Sequence, residues 1–249
     1  MNKKYIINVI NLDERLDRLQ LITNEFAKQS NFELKRFSAI EHKEGWRGCS
    51  LSHLALIKQA QIEKLPFIIV VEDDNKILDL KTFNDAFKAI CQYLENNMTK
   101  WDVFSMCCTY SNEGQNKKVV LVNQKLGLVE YQFGKTTNFM IYNQSSYKRI
   151  LALEPQFLEP NSKQQNHTID VASGGLGLRF WTKIPFLCAQ RIGYSDITKE
   201  TEDYLSVFKE NELYLLKLSM HNASLLGKLV IIIKRMKLFF CFTFSYSGK

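Results

Sequence analysis

Residues 66–74 read PFIIVVEDD, a run of β-branched residues that ends abruptly in three carboxylates. The apolar part is short enough for a strand buried on both faces, as in a parallel sheet. Acid cannot follow it into a core, because a buried carboxylate without a partner is too costly. The strand therefore predicts a sheet edge at Glu72, Asp73 and Asp74, and the carboxyl ends of strands are where open α/β sheets bind ligands. A hard divalent ion, Mn²⁺ or Mg²⁺, suits such oxygen donors and can carry a diphosphate on its other face. A strand followed by a solvated acidic turn is the plainer alternative.

Working outward, residues 5–10 (YIINVI) read as a first strand, and apolar residues at Leu16, Leu19, Ile22, Phe26 and Ala27 predict a helix over about 15–29. A second short strand is expected at 32–39. A helix is expected at about 50–64, with Ser50 or Ser52 as its cap. After the acidic turn, Phe83, Phe87, Ile90, Cys91 and Leu94 predict an amphipathic helix over 81–94. This β-α-β-α-β-α order predicts an α/β fold, with a mainly parallel central sheet flanked by helices. Further strands are expected at 101–108, 119–123, 126–133 and 136–143, the middle two antiparallel, then a helix at 145–153 and a polar loop at 154–166 that could border an acceptor site. GGLGLR (174–179) lacks phosphate-loop spacing and reads as a loop.

The 249 residues, 45% of them hydrophobic, suit one globular body with an appendage. Net charge is +7, yet residues 213–249 contain no acid and six of the basic residues. The boundary is accordingly placed at 1–212 for the folded domain and 213–249 for a basic, apolar C-terminal tail. A nearly neutral body argues against a nucleic-acid surface. Six scattered cysteines read as reduced core thiols, apart from any histidine that would make a zinc site. The amino terminus has too few apolar residues for a signal peptide, which predicts a cytoplasmic protein. Within the tail, residues 225–244 are strongly apolar but carry Lys234, Arg235 and Lys237. Such a segment predicts contact with the inner face of an anionic membrane, or a helix packed on the body, rather than a span.

Three ordered stretches, INLDERLDR (10–18), GCSLSHLALIK (48–58) and VVEDDN (70–75), followed by FMIYNQSSYKRIL, HTID and PFLCAQRIGYSDI, resemble the glycosyltransferase family 25 enzymes over roughly residues 5–200. The bacterial branch of that family builds lipooligosaccharide. The resemblance implies a GT-A type nucleotide-sugar-binding fold, a UDP-sugar donor (usually UDP-galactose), a divalent metal, and inversion at the anomeric carbon. It also implies a saccharide or glycolipid acceptor. Glucose as the donor sugar, or a noncatalytic binding module, are the alternatives.

Within that frame Glu72 and Asp74 are the candidate metal ligands, because alternation along an extended turn puts them on one face, and Asp73 points elsewhere, toward the ribose. Asn11, Leu12, Asp13 and Arg15 lie just past the first strand, where a uridine or its phosphates would approach. Arg15 could meet a diphosphate or pair with a neighbouring acid, as could Arg18. Gly48, Ser52 and His53 belong to a segment whose backbone comes close to the donor, although His53 could equally be a structural histidine. Inversion needs a carboxylate to take the acceptor proton. Asp170 in HTID, after the polar loop, is the first candidate and Asp196 in GYSDI the second.

Overall fold

Strands β1 (Tyr5–Asn11) and β3 (Phe67–Glu72) lie side by side and in parallel, with Ile7 opposite Ile69 and Ile10 opposite Glu72. The computed structural model describes residues 4–27, 31–110, 119–132, 134–159 and 168–221. Between these two strands come α1 (Leu16–Phe26), β2 (Phe32–Ser38) and α2 (Gly45–Ile62). Parallel neighbours require crossover connections, and α1 and α2 supply them. After the acidic turn follow β4 (Asn75–Ile77), α3 (Leu80–Glu95), β5 (Val103–Ser105) and the two-residue β6 (Thr109–Tyr110). Next come β7 (Val120–Asn123), β8 (Leu128–Tyr131), β9 (Gly134–Lys135), β10 (Phe139–Asn143) and α4 (Gln144–Leu151). The chain continues through α5 (Glu154–Leu158), α6 (Ile169–Gly174), β11 (Phe180–Lys183) and β12 (Cys188–Gln190). It reaches β13 (Gly193–Tyr194), β14 (Thr201–Glu202) and α7 (Leu205–His221).

The central sheet has the order β2-β1-β3-β10-β5-β11-β8-β7. Six of its strands point one way, while β10 and β8 run against them. The reversal at β10 decides the site. Phe139 opens β10 opposite Val71 near the end of β3, so residues 136–138, just ahead of β10, arrive beside the acidic turn.

Beneath this edge the core is aromatic. Phe83 and Phe87 of α3 stack at 5.1 Å between ring centroids, and Phe32 meets Phe87 edge-on at 4.6 Å. Each such burial contributes about 1.5–3 kcal/mol. Asp79 caps α3 by accepting from the Thr82 N–H at 2.6 Å.

Three expectations change. Helix α2 begins at Gly45, so Ser50 and Ser52 are interior residues and not caps. Their hydroxyls donate to the carbonyls of Trp46 (2.8 Å) and Gly48 (2.7 Å), one turn back. Residues 154–158, expected in a loop, form a short helix with Pro155 in its first turn, where the missing N–H is no loss. The 15–29 helix ends at Phe26. The rest of the expected acceptor loop (160–166) and the tail from 222 onward lie outside the described residues, among which no helix is long and apolar enough to cross a membrane.

One buried ion cluster ties the second half together. Asp102 accepts from Arg179 Nε and N–H, both at 2.9 Å, from Arg149 at 2.8 Å and from Ser145 at 2.7 Å. Burial alone would raise its pKa, but these donors, Arg179 foremost, bring the carboxyl down to about 2. A depressed folded-state pKa contributes stability that is present above the ordinary carboxylate range and lost as pH falls from about 4 to 2. Asp102→Asn should therefore cost about 1–2 kcal/mol at pH 7, allowing for the partial exposure of both arginines, and should flatten the acid limb of a urea-denaturation series over that window.

Candidate functional site

The acidic turn is pinned by its backbone before any side chain acts. Asp73 N–H donates to Ile10 O at 3.1 Å, and Glu72 N–H donates to Asn138 O at 2.9 Å. The three carboxylates then diverge, as alternation requires. Asp73 turns toward β1 and α1, accepting from Asn11 Nδ2 at 2.7 Å and Arg18 at 3.1 Å. Glu72 and Asp74 turn the other way. Glu72 Oε1 accepts from the Thr137 hydroxyl and lies 3.3 Å from His53 Nε2, while Asp74 accepts from Asn138 Nδ2 at 2.7 Å and Gln190 Nε2 at 3.0 Å.

These surroundings set the charges. Burial, then the neighbouring charges of Glu72 and Asp73, push the Asp74 carboxyl up to about 7. Burial also raises Asp73, against the pull of Asn11 and Arg18. Glu72 would rise on burial too, but hydrogen bonds from His53 and Thr137 hold it below the usual range. Burial pushes the Cys49 thiol up, and the charges of Glu72 and Asp170 add to this.

A cavity of about 490 Å³ opens above the turn. Glu72, Asp73 and Asp74 line its base; Asn11, Leu12 and Arg18 line one wall, and residues 39–43, Gly45 and Cys49 another. Ser195, Asp196, Ile197 and Lys199 close over it. Arg18, Lys43 and Lys199 bring three cations to the walls, where Glu14, Glu41 and Asp196 also stand, and Arg18 is paired with Asp73.

Of the residues singled out from sequence, Asn11, Leu12, Arg18, Glu72, Asp73, Asp74 and Asp196 line this cavity. Asp13 is exposed and pairs with Arg36 and Ser38. Arg15 is held by Asp17 at 2.9 Å and by Asp196. Gly48, Ser52 and His53 lie beneath the cavity. A Cβ on Gly48 would sit 2.3 Å from Ile40 O, so the helix backbone directly supports the wall at 39–43, and Ser52 accepts from the Ile40 N–H at 2.8 Å to fix it. His53 is buried between Glu72 and Tyr142, whose hydroxyl is 3.1 Å from Nδ1.

Asp170 is not among the lining residues; its carboxylate accepts from the Thr136 N–H at 2.8 Å and the Val171 N–H at 2.9 Å. Thr136 has φ 84°, a conformation that costs a β-branched residue about 1–3 kcal/mol, so Asp170 holds a strained residue just ahead of Thr137 and Asn138. Thr137, Asn138, Gln190 and Cys49 were not anticipated. Asn138 stands immediately before an apolar strand and Gln190 at the end of another, a polar-at-the-edge signal that requires the strand order to interpret.

No protein-family model matches the chain, and no curated protein matches it. Among solved structures it is similar to mannose-1-phosphate geranyltransferase from Thermus thermophilus, at 9% identity and TM-score 0.43, over 75% of this chain and 76% of that one. It is similar also to a glycosyltransferase involved in the glycosylation of the major capsid of PBCV-1, at 12% identity and TM-score 0.44, over 73% and 83%. A third is CMP:2-keto-3-deoxy-manno-octonic acid synthetase complexed with CTP, at 10% identity and TM-score 0.40, over 86% and 99%.

Two substitutions test this geometry. Gly48→Ala should cost about 1–3 kcal/mol in chemical denaturation, since its methyl group displaces backbone at Ile40. For Asp74, a folded-state pKa raised above the ordinary value means that stability falls as pH rises from about 4 to 7. Asp74→Asn should abolish that fall and raise the Tm at pH 8 by about 2–4 °C, read by calorimetry.

Proposed function

We propose that the chain is a metal-dependent inverting glycosyltransferase of the family 25 kind with a GT-A type fold, moving a hexose from a UDP-sugar to a hydroxyl of a lipooligosaccharide or similar surface glycan. UDP-galactose is the proposed donor, and UDP-glucose the alternative. The observation that carries this reading is the acidic turn at the carboxyl end of β3, on the base of a cavity bordered by Asn11, Leu12 and three cations.

The donor atoms fit a hard divalent ion. Asp74 and Glu72 offer carboxylate oxygens that turn to the same side of the acidic strand end, away from Asp73. Glu72 and Asp74 would hold Mn²⁺ or Mg²⁺, which would supply positive charge against the departing nucleoside diphosphate. Arg18, Lys43 and Lys199 add positive charge for the phosphates, and Asn11 and Leu12 border the nucleoside end. Asp73, tied to Asn11 and Arg18, orders that wall. The acceptor proton would go to a carboxylate, and the two candidate bases are Asp170, which lies outside the cavity lining and would have to be reached from the acceptor side, and Asp196, which lines the cavity. The apolar, basic stretch at 225–244 would hold the enzyme at the cytoplasmic membrane surface, near a lipid-linked acceptor.

In titration calorimetry with UDP-galactose and Mn²⁺, Asp74→Ala should lose metal-dependent binding, whereas Asp170→Ala should keep it and lose UDP release. Turnover retained in Asp170→Ala assigns the base to Asp196, and wild-type protein that takes up no uridine sugar with Mn²⁺ refutes the proposal.

A further inference from the structure

Cys49 and His53 are four residues apart on α2, so one helical turn puts both side chains on the same face. That face meets the end of β3. Glu72 Oε1 lies 3.7 Å from Cys49 Sγ and 3.3 Å from His53 Nε2, and the three atoms all fall within 4.8 Å of one another. We propose that Cys49, His53 and Glu72 form a binding site for a borderline-soft divalent ion of the zinc class, with its fourth position open to the cavity.

The distances suit a tetrahedron. With metal–sulfur bonds of about 2.3 Å and metal–nitrogen and metal–oxygen bonds of about 2.0 Å, tetrahedral edges are about 3.5 Å between sulfur and oxygen and about 3.3 Å between nitrogen and oxygen. The observed 3.7 and 3.3 Å need little adjustment, and the sulfur and nitrogen, which lie within 4.8 Å of each other, would close toward about 3.5 Å around the ion. Ligand exposure is asymmetric: Cys49 and Glu72 line the cavity, whereas His53 is fully buried. Three protein ligands and one open position describe a catalytic rather than a structural zinc site.

The outer groups fit as well. A metal-binding imidazole needs its second nitrogen held, and the Tyr142 hydroxyl is 3.1 Å from His53 Nδ1. Thr137 donates to Glu72 Oε1 and so fixes the carboxylate. Binding displaces the Cys49 thiol proton to solvent and forms a metal–thiolate bond. Sulfur and nitrogen donors select zinc or cobalt over magnesium, which separates this site from the hard-ion site of Asp74, although Glu72 is common to both. Among the described residues this is the one group of three such side chains that converges. Cys49 thus lies beside His53, although the cysteines are expected to stand apart from any histidine, because four residues make one turn of α2.

The test uses the full chain, stripped with chelator, and no nucleotide, so a failure of donor binding leaves its result unaffected. Zn²⁺ should bind at about one equivalent per chain by elemental analysis, and Co²⁺ should give a near-ultraviolet thiolate-to-cobalt absorption. Cys49→Ser should lose both while keeping the wild-type far-ultraviolet circular dichroism, and Asp74→Asn should keep both. In the wild-type protein itself, Zn²⁺ should slow alkylation of Cys49 several-fold, followed by peptide mass spectrometry. Cobalt bound without the thiolate band, equal zinc uptake by wild type and Cys49→Ser, loss of uptake in Asp74→Asn, or an unchanged alkylation rate would each overturn the assignment.

Discussion

Three successive carboxylates at the end of a buried strand repel one another, and the surroundings of β3 are arranged to hold them apart. Asp73 is drawn to one side by Asn11 and Arg18, and Glu72 and Asp74 to the other by Thr137, Asn138 and Gln190. Most of these partners are neutral donors. Hydrogen bonds satisfy the oxygens without cancelling the charge, so the edge of the sheet keeps a negative potential that a low-dielectric floor amplifies. Stability gained in the sheet and its aromatic layer is partly spent on this edge, as is usual where a fold carries a site.

Much of the scaffold was legible in the chain. The runs at β1 and β3 are β-branched and short, and α3 is strongly amphipathic, so period and length sufficed for them. Helix α2 was harder to delimit. Trp46, Arg47, Gly48, Ser50, Ser52 and His53 are all buried, so its first turns face protein on several sides and carry no apolar stripe to mark where it starts. The sequence around the acidic turn indicated the direction of each carboxylate, but not the partners. Asn138 and Gln190 lie 64 and 116 residues from Asp74, and only the insertion of β10 beside β3 and the pairing of β12 with β4 bring them in.

The wall of the cavity depends on missing side chains as much as on present ones. Gly48 lets the backbone at Ile40 rest on α2, and a Cβ at Gly45 would meet Asp196 O and Ile197 Cα at 3.2 Å. The same helix therefore seats two separate segments of the wall through its two glycines, while its Cys49 and His53 reach the acidic turn from below. One helix thus supports the wall at Ile40, the segment at Asp196 and Ile197 and the acidic turn, so a shift of α2 would be felt at all three.

The reversed direction of β10 has a consequence for insertions and deletions at the rim. In an all-parallel sheet the functional rim receives the chain only as it leaves strands, and the inbound connections lie at the far edge. Here the rim also receives an inbound connection, at residues 134–138, whereas the turn from Asn143 into α4 falls at the opposite edge. Thr137 and Asn138 of that stretch hold Glu72 and Asp74, so lengthening or shortening it would move the acidic base of the cavity while leaving every crossover helix in place.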